Sequence, residues 1–219
     1  MLDHDGPPGG HAAGMNAEPG APLWSSLSTP PRTARDRILA AATDLFCRNG
    51  FAATGIDSVV ARSGASKSTL YAHFKSKGDL IEAVLDREGA AWRAWFFGRI
   101  SARRGTPHEK LEAVFDTLEE WFSDPAFYGC PFINAIAETA PGDDRMRSAA
   151  RRHKAHLLTW LRGQAVELGR PDPDRLAREM VVLIDGAIVA AQGAHDASFA
   201  RSARRSEEHT SELQSLSHI

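Results

Sequence analysis

One stretch, Thr54 to Leu80, limits the fold most: TGIDSVVARSGASKSTLYAHFKSKGDL. Thr54 is placed to cap a helix on which Ile56, Val59 and Val60 fall to one side. Gly64 gives the chain a left-handed option at that helix's end. Ser66 can cap a second, short helix whose Leu70 and Phe74, four apart, share a face. Ser76, with Asp79 three residues on, is the cap signal of a third. Helix, four-residue turn with glycine, short helix is the spacing of a helix-turn-helix, over residues 55–74. Its apolar faces need a cover. A helix over Ala34 to Arg48 supplies one, with Ile38, Ala42, Leu45 and Phe46 on one side and Asn49-Gly50 as the stop.

The same period continues downstream, and strand signals are nearly absent. The third helix of the stretch runs to about Ser101. Thr106-Pro107-His108-Glu109 opens another, with cap, proline and acid in their expected places, to about Ser123. DPAFYGCP breaks it. A helix through Phe132 to Thr139 follows, then the breaker PGDD, a helix from Asp144 to Leu168, and a last strong one from Pro173 to Gly193. The expected fold is all-α: an N-terminal three-helix helix-turn-helix domain over 32–92, then a C-terminal helical domain over 93–204. Residues 1–31, rich in Gly, Pro, Ala and Ser, read as a disordered extension, and Met15 is an alternative start.

Charge separates the two parts. Residues 32–78 carry eight basic side chains against three acids, a net +5, whereas the rest of the chain nets −7. A segment opposite in sign to its host suits a polyanion. Two cysteines imply no disulfide framework and fit a reducing cytoplasm. No apolar run approaches the roughly 18 residues of a membrane helix, and the start lacks a signal peptide's basic and apolar regions.

On a helical wheel, Leu70 and Phe74 point to the core, while Ser68, Thr69, Tyr71 and Ala72 point away, with His73 at the flank and Lys67 in the first turn. Small hydroxyls and a tyrosine suit the base edges and thymine methyls of a major groove. Lys75 and Lys77 lie where a phosphate backbone would run, and the amides of the helix behind Thr54 can also meet a phosphate. The pattern A-G-V-S-x-x-x-L-Y-x-H-F-x-x-K-x-x-L of TetR/AcrR-family transcriptional regulators is met at Gly64, Ser66, Leu70, Tyr71, His73, Phe74, Lys77 and Leu80, and the chain resembles that family over about 32–92. The resemblance implies nine or so helices, an effector pocket in the C-terminal domain and a homodimer through the last two long helices. By position it implies base contacts for Lys67, Thr69 and Tyr71, and phosphate contacts for Thr54, His73 and Lys77. Two departures stand out: Ala65 replaces the usual Val, and Gly55 and Asp57 stand where some relatives place Thr and a base-reading Arg.

The aromatic load of the second domain suggests ligand lining: Trp92, Trp95, Phe96, Trp121, Phe122, Phe127, Tyr128 and Trp160, although plain core is the simpler role for each taken singly. Asp185, in an otherwise apolar helix, needs a partner; an arginine at a helix interface is the plainer reading and an effector anchor the sharper one. Gly186, Ala187, Ala190 and Ala191 permit close helix approach. Cys130 lacks a local cation to make it a sensing thiol, so it reads as an inert small hydrophobe. His153 and His156 are crowded by Arg151, Arg152 and Lys154, which favours a solvated basic face over metal ligation. Glu138, Asp143 and Asp144 form no recognisable catalytic set. No catalytic residue, metal or cofactor is expected. The function expected is that of a repressor: a cytoplasmic homodimer on a palindromic operator of double-stranded DNA, released by a small hydrophobic effector. A structural, nucleoid-associated factor of the same fold is the alternative, and a DNA-processing enzyme a more distant one.

The end of the chain, RSEEHTSELQSLSHI, shows no periodic core face. Read back into codons, Arg205 to Ser215 matches eleven in a row of a widely used sequencing-library adapter. The expectation is that 205–219 is a run-on from a true gene fragment ending near Arg204, that it makes no specific contacts, and that the domain's own end is missing.

Overall fold

The computed structural model describes residues 31–138 and 144–216, the last eight of these by backbone course alone. The expected disorder of 1–31 therefore falls, save for Pro31, outside the described residues, as do Thr139 and most of the PGDD breaker.

The head of the molecule is three helices, α1 (Ala34–Asn49), α2 (Ile56–Ser63) and α3 (Lys67–His73). A capping box between Thr33 and Asp36 starts α1. Gly64 takes the left-handed conformation, φ 64°, that turns α2 into α3. Ser66 caps α3 by accepting from the Thr69 amide. Ile38, Ala42 and Phe46 of α1, Val59 of α2, Leu70 of α3 and the adjoining Phe74 are all buried together, and Phe51 stacks on Phe46 at 5.2 Å.

Thr54 is not the cap of α2. Gly55 holds that place with no side-chain hydrogen bond. Thr54 lies one residue too early, so its hydroxyl turns back on the end of α1, donating to the Gly50 carbonyl at 2.7 Å, with the Leu45 carbonyl at 3.2 Å. It is buried.

α4 (Lys77–Ala102), capped by Ser76, leaves the head and becomes the first helix of a larger bundle with α5 (Pro107–Phe122), α6 (Pro131–Glu138), α7 (Asp144–Glu167), α8 (Pro173–Ala194) and α9 (Phe199–Leu216). A capping box and proline start α5, and a cap residue and proline start α8, where the sequence signals them. Among the described residues all regular structure is helical, and no helix is long and apolar enough to cross a membrane.

α9 corrects the reading of the tail. It packs on α5 and α8 and buries Ala200, Ala203 and Glu207, three or four residues apart. Small and polar side chains on that face leave the helical period faint in the sequence. Within the tail Arg205 donates to Ser202 Oγ at 3.1 Å, and Glu208 accepts from Arg204 at 3.0 Å. The expected absence of specific contacts beyond Arg204 is therefore wrong.

Candidate nucleic-acid interface and effector cavity

The first turn of α3 is tied together by its own cap. Ser66 Oγ lies 2.8 Å from Ser68 Oγ and 2.7 Å from Thr69 Oγ1, so the row of hydroxyls is fixed before any partner arrives. Tyr71 is 44% exposed, an unusual place for an aromatic ring with packing alone to do. Lys67, Ser68 and His73 are exposed beside it, and Thr69 is half-buried. The Arg35 guanidinium sits 5.3 Å above the Phe74 ring and brings a cation to the far end of α3.

Two of the basic side chains already have partners. Lys67 Nζ lies 2.9 Å from Asp57, and this hydrogen bond raises its pKa. Lys77, the first residue of α4, donates to the Ala52 carbonyl at 3.1 Å and ties α4 to the α1–α2 loop. Lys67, Ser68, Tyr71 and His73 are thus exposed on α3 with Thr69 half-buried among them, and Lys77 is half-buried at the start of α4. Thr54 does not join them, because its side chain is buried and spent on carbonyl groups of the head.

The second domain encloses a small cavity among α4, α5, α6, α7 and α8. Glu88, Gly89 and Trp92 line it from α4, Trp121 from α5, Cys130 to Phe132 from the start of α6, His153, Lys154 and Leu157 from α7, and Ile184 and Ile188 from α8. Its volume is about 20 Å³, room for about one water. The rings form a chain of contacts: Phe132 stacks on His153 at 4.1 Å, and Trp92 lies tilted 5.5 Å from both His153 and Trp121.

His153 is 5% exposed and does not belong to a solvated basic face. Burial is the main cause that lowers its pKa to about 3, with Lys154, Arg93 and His156 adding like charge. A neutral ring accepts at Nδ1 from the Arg93 guanidinium, 3.1 Å away, and that burial lowers Arg93 too. His156 is exposed, so the two histidines do not converge, and among the described residues no cluster suits a metal ion. Burial pushes the Cys130 thiol up, and Cys47 to about 12, which agrees with an inert role for Cys130.

Of the aromatic residues expected to line a pocket, Trp92 and Trp121 do. Phe96 is fully buried behind Trp92, stacked at 4.4 Å, and Trp95 tilts against Phe96. Phe127 meets Trp121 edge-on at 5.2 Å and Phe122 at 4.9 Å. Trp160 stacks on Phe97 at 5.1 Å, and Tyr128 lies under Arg48 of the head at 5.8 Å. Asp185 pairs with Lys154, a lysine in place of the expected arginine, and stands behind the cavity wall. Reading the sequence missed Glu88, Phe132 and His153. Glu88 is an acid four residues before Trp92, and His153 falls on the same face as Met146, Ala150, Leu157 and Leu161; that register was the available signal.

Polar ties join this wall to the head and to α4. Glu138, at the end of α6, accepts from the Ala52 amide at 2.7 Å. Arg145 of α7 pairs with Asp79 at 2.7 Å, and Arg152 with Glu82 at 2.9 Å and Asp86 at 3.1 Å on α4.

The family model for bacterial regulatory proteins of the tetR family matches residues 38–84, and that for the tetracyclin repressor-like C-terminal domain matches 107–206. The chain is 25% identical over 169 residues to an HTH-type transcriptional regulator of Lactococcus lactis, covering 72% of this chain and 83% of that protein. To the HTH-type transcriptional regulator QacR of Staphylococcus aureus it is 41% identical over 105 residues, 48% of this chain and 52% of the relative, so it spans about half of that protein's length. A crystal structure of a TetR-family transcriptional regulator from Streptomyces coelicolor superposes with a TM-score of 0.71 at 30% identity, over 80% of this chain and 93% of that one.

Proposed function

This chain belongs to the TetR family of bacterial transcriptional regulators, and from that premise we propose that it is a ligand-responsive repressor. It acts in the cytoplasm as a homodimer on a palindromic operator and leaves when a small hydrophobic effector enters the cavity. Lys67, Ser68, Thr69 and Tyr71 read base edges; His73 and Lys77 meet phosphates. The observation that carries the reading is the exposed Tyr71 beside a fixed row of hydroxyls on the positively charged head. For the dimer, α8 offers an outward strip in which Val182, 71% exposed, and Val189 alternate with Gly186 and Gly193, and α9 lies beside it.

Release follows from the size of the cavity. Room for one water cannot hold a drug-sized ligand, which needs hundreds of Å³, so binding must move the walls. α6 is a wall and a strut at once: Phe132 at one end lines the cavity, and Glu138 at the other holds the Ala52 amide of the head. An effector that fits only the widened cavity favours the head position that goes with it, and DNA favours the other. The lining is mainly apolar and aromatic, with Glu88, His153 and Lys154 as its polar members, and this supports a mainly hydrophobic effector.

The test is to select duplexes from a random pool, then screen hydrophobic compounds by tryptophan quenching with DNA release as readout. Compounds that quench and release support the reading. Release by small polar metabolites or metal ions alone overturns it. Occupancy of a few palindromes in the cell, in place of many dispersed sites, separates this function from that of an architectural factor. Glu138→Gln should leave quenching intact and weaken release, since it alters the strut and not the cavity.

A further inference from the structure

A carboxylate stands on the face that would dock DNA. Asp57 is the second residue of α2, and its side chain is 82% exposed; Lys67, the first residue of α3, is 58% exposed and lies 2.9 Å from it. The other acids of the positive segment are occupied elsewhere: Asp36 caps α1, and Asp44 pairs with Arg48 and Arg62. Asp57 alone of these three touches the reading helix.

An exposed pair of this kind adds little to folding, so its consequence lies in what it does to a ligand. Binding to arbitrary DNA is driven by cations that replace the counterions of phosphates. A lysine already neutralised by a carboxylate releases none, and the carboxylate itself is repelled. A base edge is different. Guanine offers O6 and N7 together to a lysine, and the amino group of its cytosine partner donates to a carboxylate. A single G·C pair can therefore take both members of the ion pair at once.

We propose that Asp57 is a specificity-determining residue that withholds Lys67 from phosphates and yields it to a G·C pair in each half-site. The inference rests on the DNA-docking reading given above. Asp57 weakens non-cognate complexes and leaves the cognate one intact, and this widens the ratio between them.

The experiment uses the full chain and the variants Asp57→Asn, Lys67→Ala and the double change, titrated from 50 to 200 mM salt against a duplex selected by the wild type and a scrambled one. Asp57→Asn should bind the scrambled duplex about eightfold tighter per subunit near 0.1 M salt, with a log–log salt slope steeper by about one. The gain should be clearly smaller in the Lys67→Ala background, where only the repulsion of the carboxylate is relieved, and selection with Asp57→Asn should lose a G·C preference. Unchanged scrambled binding in Asp57→Asn overturns the proposal. So does a gain that is undiminished without Lys67, which would make Asp57 a general repulsive charge only. If the wild type selects no duplex at all, the docking reading fails first. If Tyr71→Ala destroys selection while Asp57→Asn is silent, only the role of Asp57 fails.

Discussion

The head and the cavity domain share one architecture but place their working side chains in opposite ways. In the head, Lys67 to His73 supplies the face from one helix, exposed, with its hydroxyls fixed by neighbours two or three residues away. In the cavity domain the lining comes from five helices, with Glu88 and Ile188 at its sequence extremes, and closes on a space of about 20 Å³. A surface built from local contacts is rigid and complete without a partner. A cavity built from distant helices changes shape whenever any two of them shift. The difference fits a molecule in which one region reads and the other yields.

Breaking the head should give the largest effect. Leu70 is fully buried, and Leu70→Ala should cost about 2–5 kcal/mol. Four of the five tryptophans, Trp92, Trp95, Trp121 and Trp160, lie in the bundle, so with Trp24→Phe as background the tryptophan fluorescence reports the cavity domain. DNA binding should fail at a temperature where the tryptophan transition has not begun. Simultaneous loss of both would mean that the two regions melt as one body and that the contrast is only geometric.

Tyr71→Ala tests the reading surface without touching the core. It should weaken the selected duplex by roughly 1–3 kcal/mol and flatten base preference, while Lys77→Ala weakens every duplex alike and lowers the salt slope by about one per subunit. Indistinguishable titrations for the two variants would remove the division between base and phosphate contacts.

The same contrast explains what could be read from the chain beforehand. Gly64, Ser66, Leu70 and Ser76 stand where the sequence put them, because caps and turns depend on residues within one helical turn. Thr54 failed by one position: Gly55 can also start a helix, and the threonine hydroxyl found carbonyls behind it. The cavity was legible only as an aromatic surplus. Nothing local tells Trp92, which lines it, from Trp95, which does not. His153 was misjudged because its basic neighbours in sequence point elsewhere once the helix forms, Arg151 and Arg152 outward.

That misjudged residue gives a measurable pH effect. The folded pKa of His153, about 3, lies below the unfolded value of about 6.5. Above pH 6.5 both states are neutral and nothing is lost. Below it the unfolded chain takes a proton that the folded chain refuses, so stability falls with pH, by about 1.4 kcal/mol at pH 5.5. His153→Leu should remove that part of the slope between pH 7 and 5, as measured by denaturant midpoints. An unchanged slope would place His153 in water and undo the account of the cavity.

The smallest effect concerns the end of α9. Truncation after Arg204 keeps Ala200 and Ala203 in the core and keeps the pairs from Arg204 to Glu112 and Asp116 on α5, both 3.2 Å. It removes the Arg204–Glu208 pair, one helical turn apart and partly exposed, worth about 0.3–0.5 kcal/mol. It also removes Glu207, whose side chain is buried to 1% exposure. The C-terminal family match ends at residue 206. Deleting 205–219 should therefore move the melting temperature by less than about 2 °C, with dimer fraction and DNA affinity unchanged. A fall of more than about 5 °C, or any loss of dimer, would show that the last turns of α9 belong to the domain, and the reading of 205–219 as translated adapter would have to be abandoned.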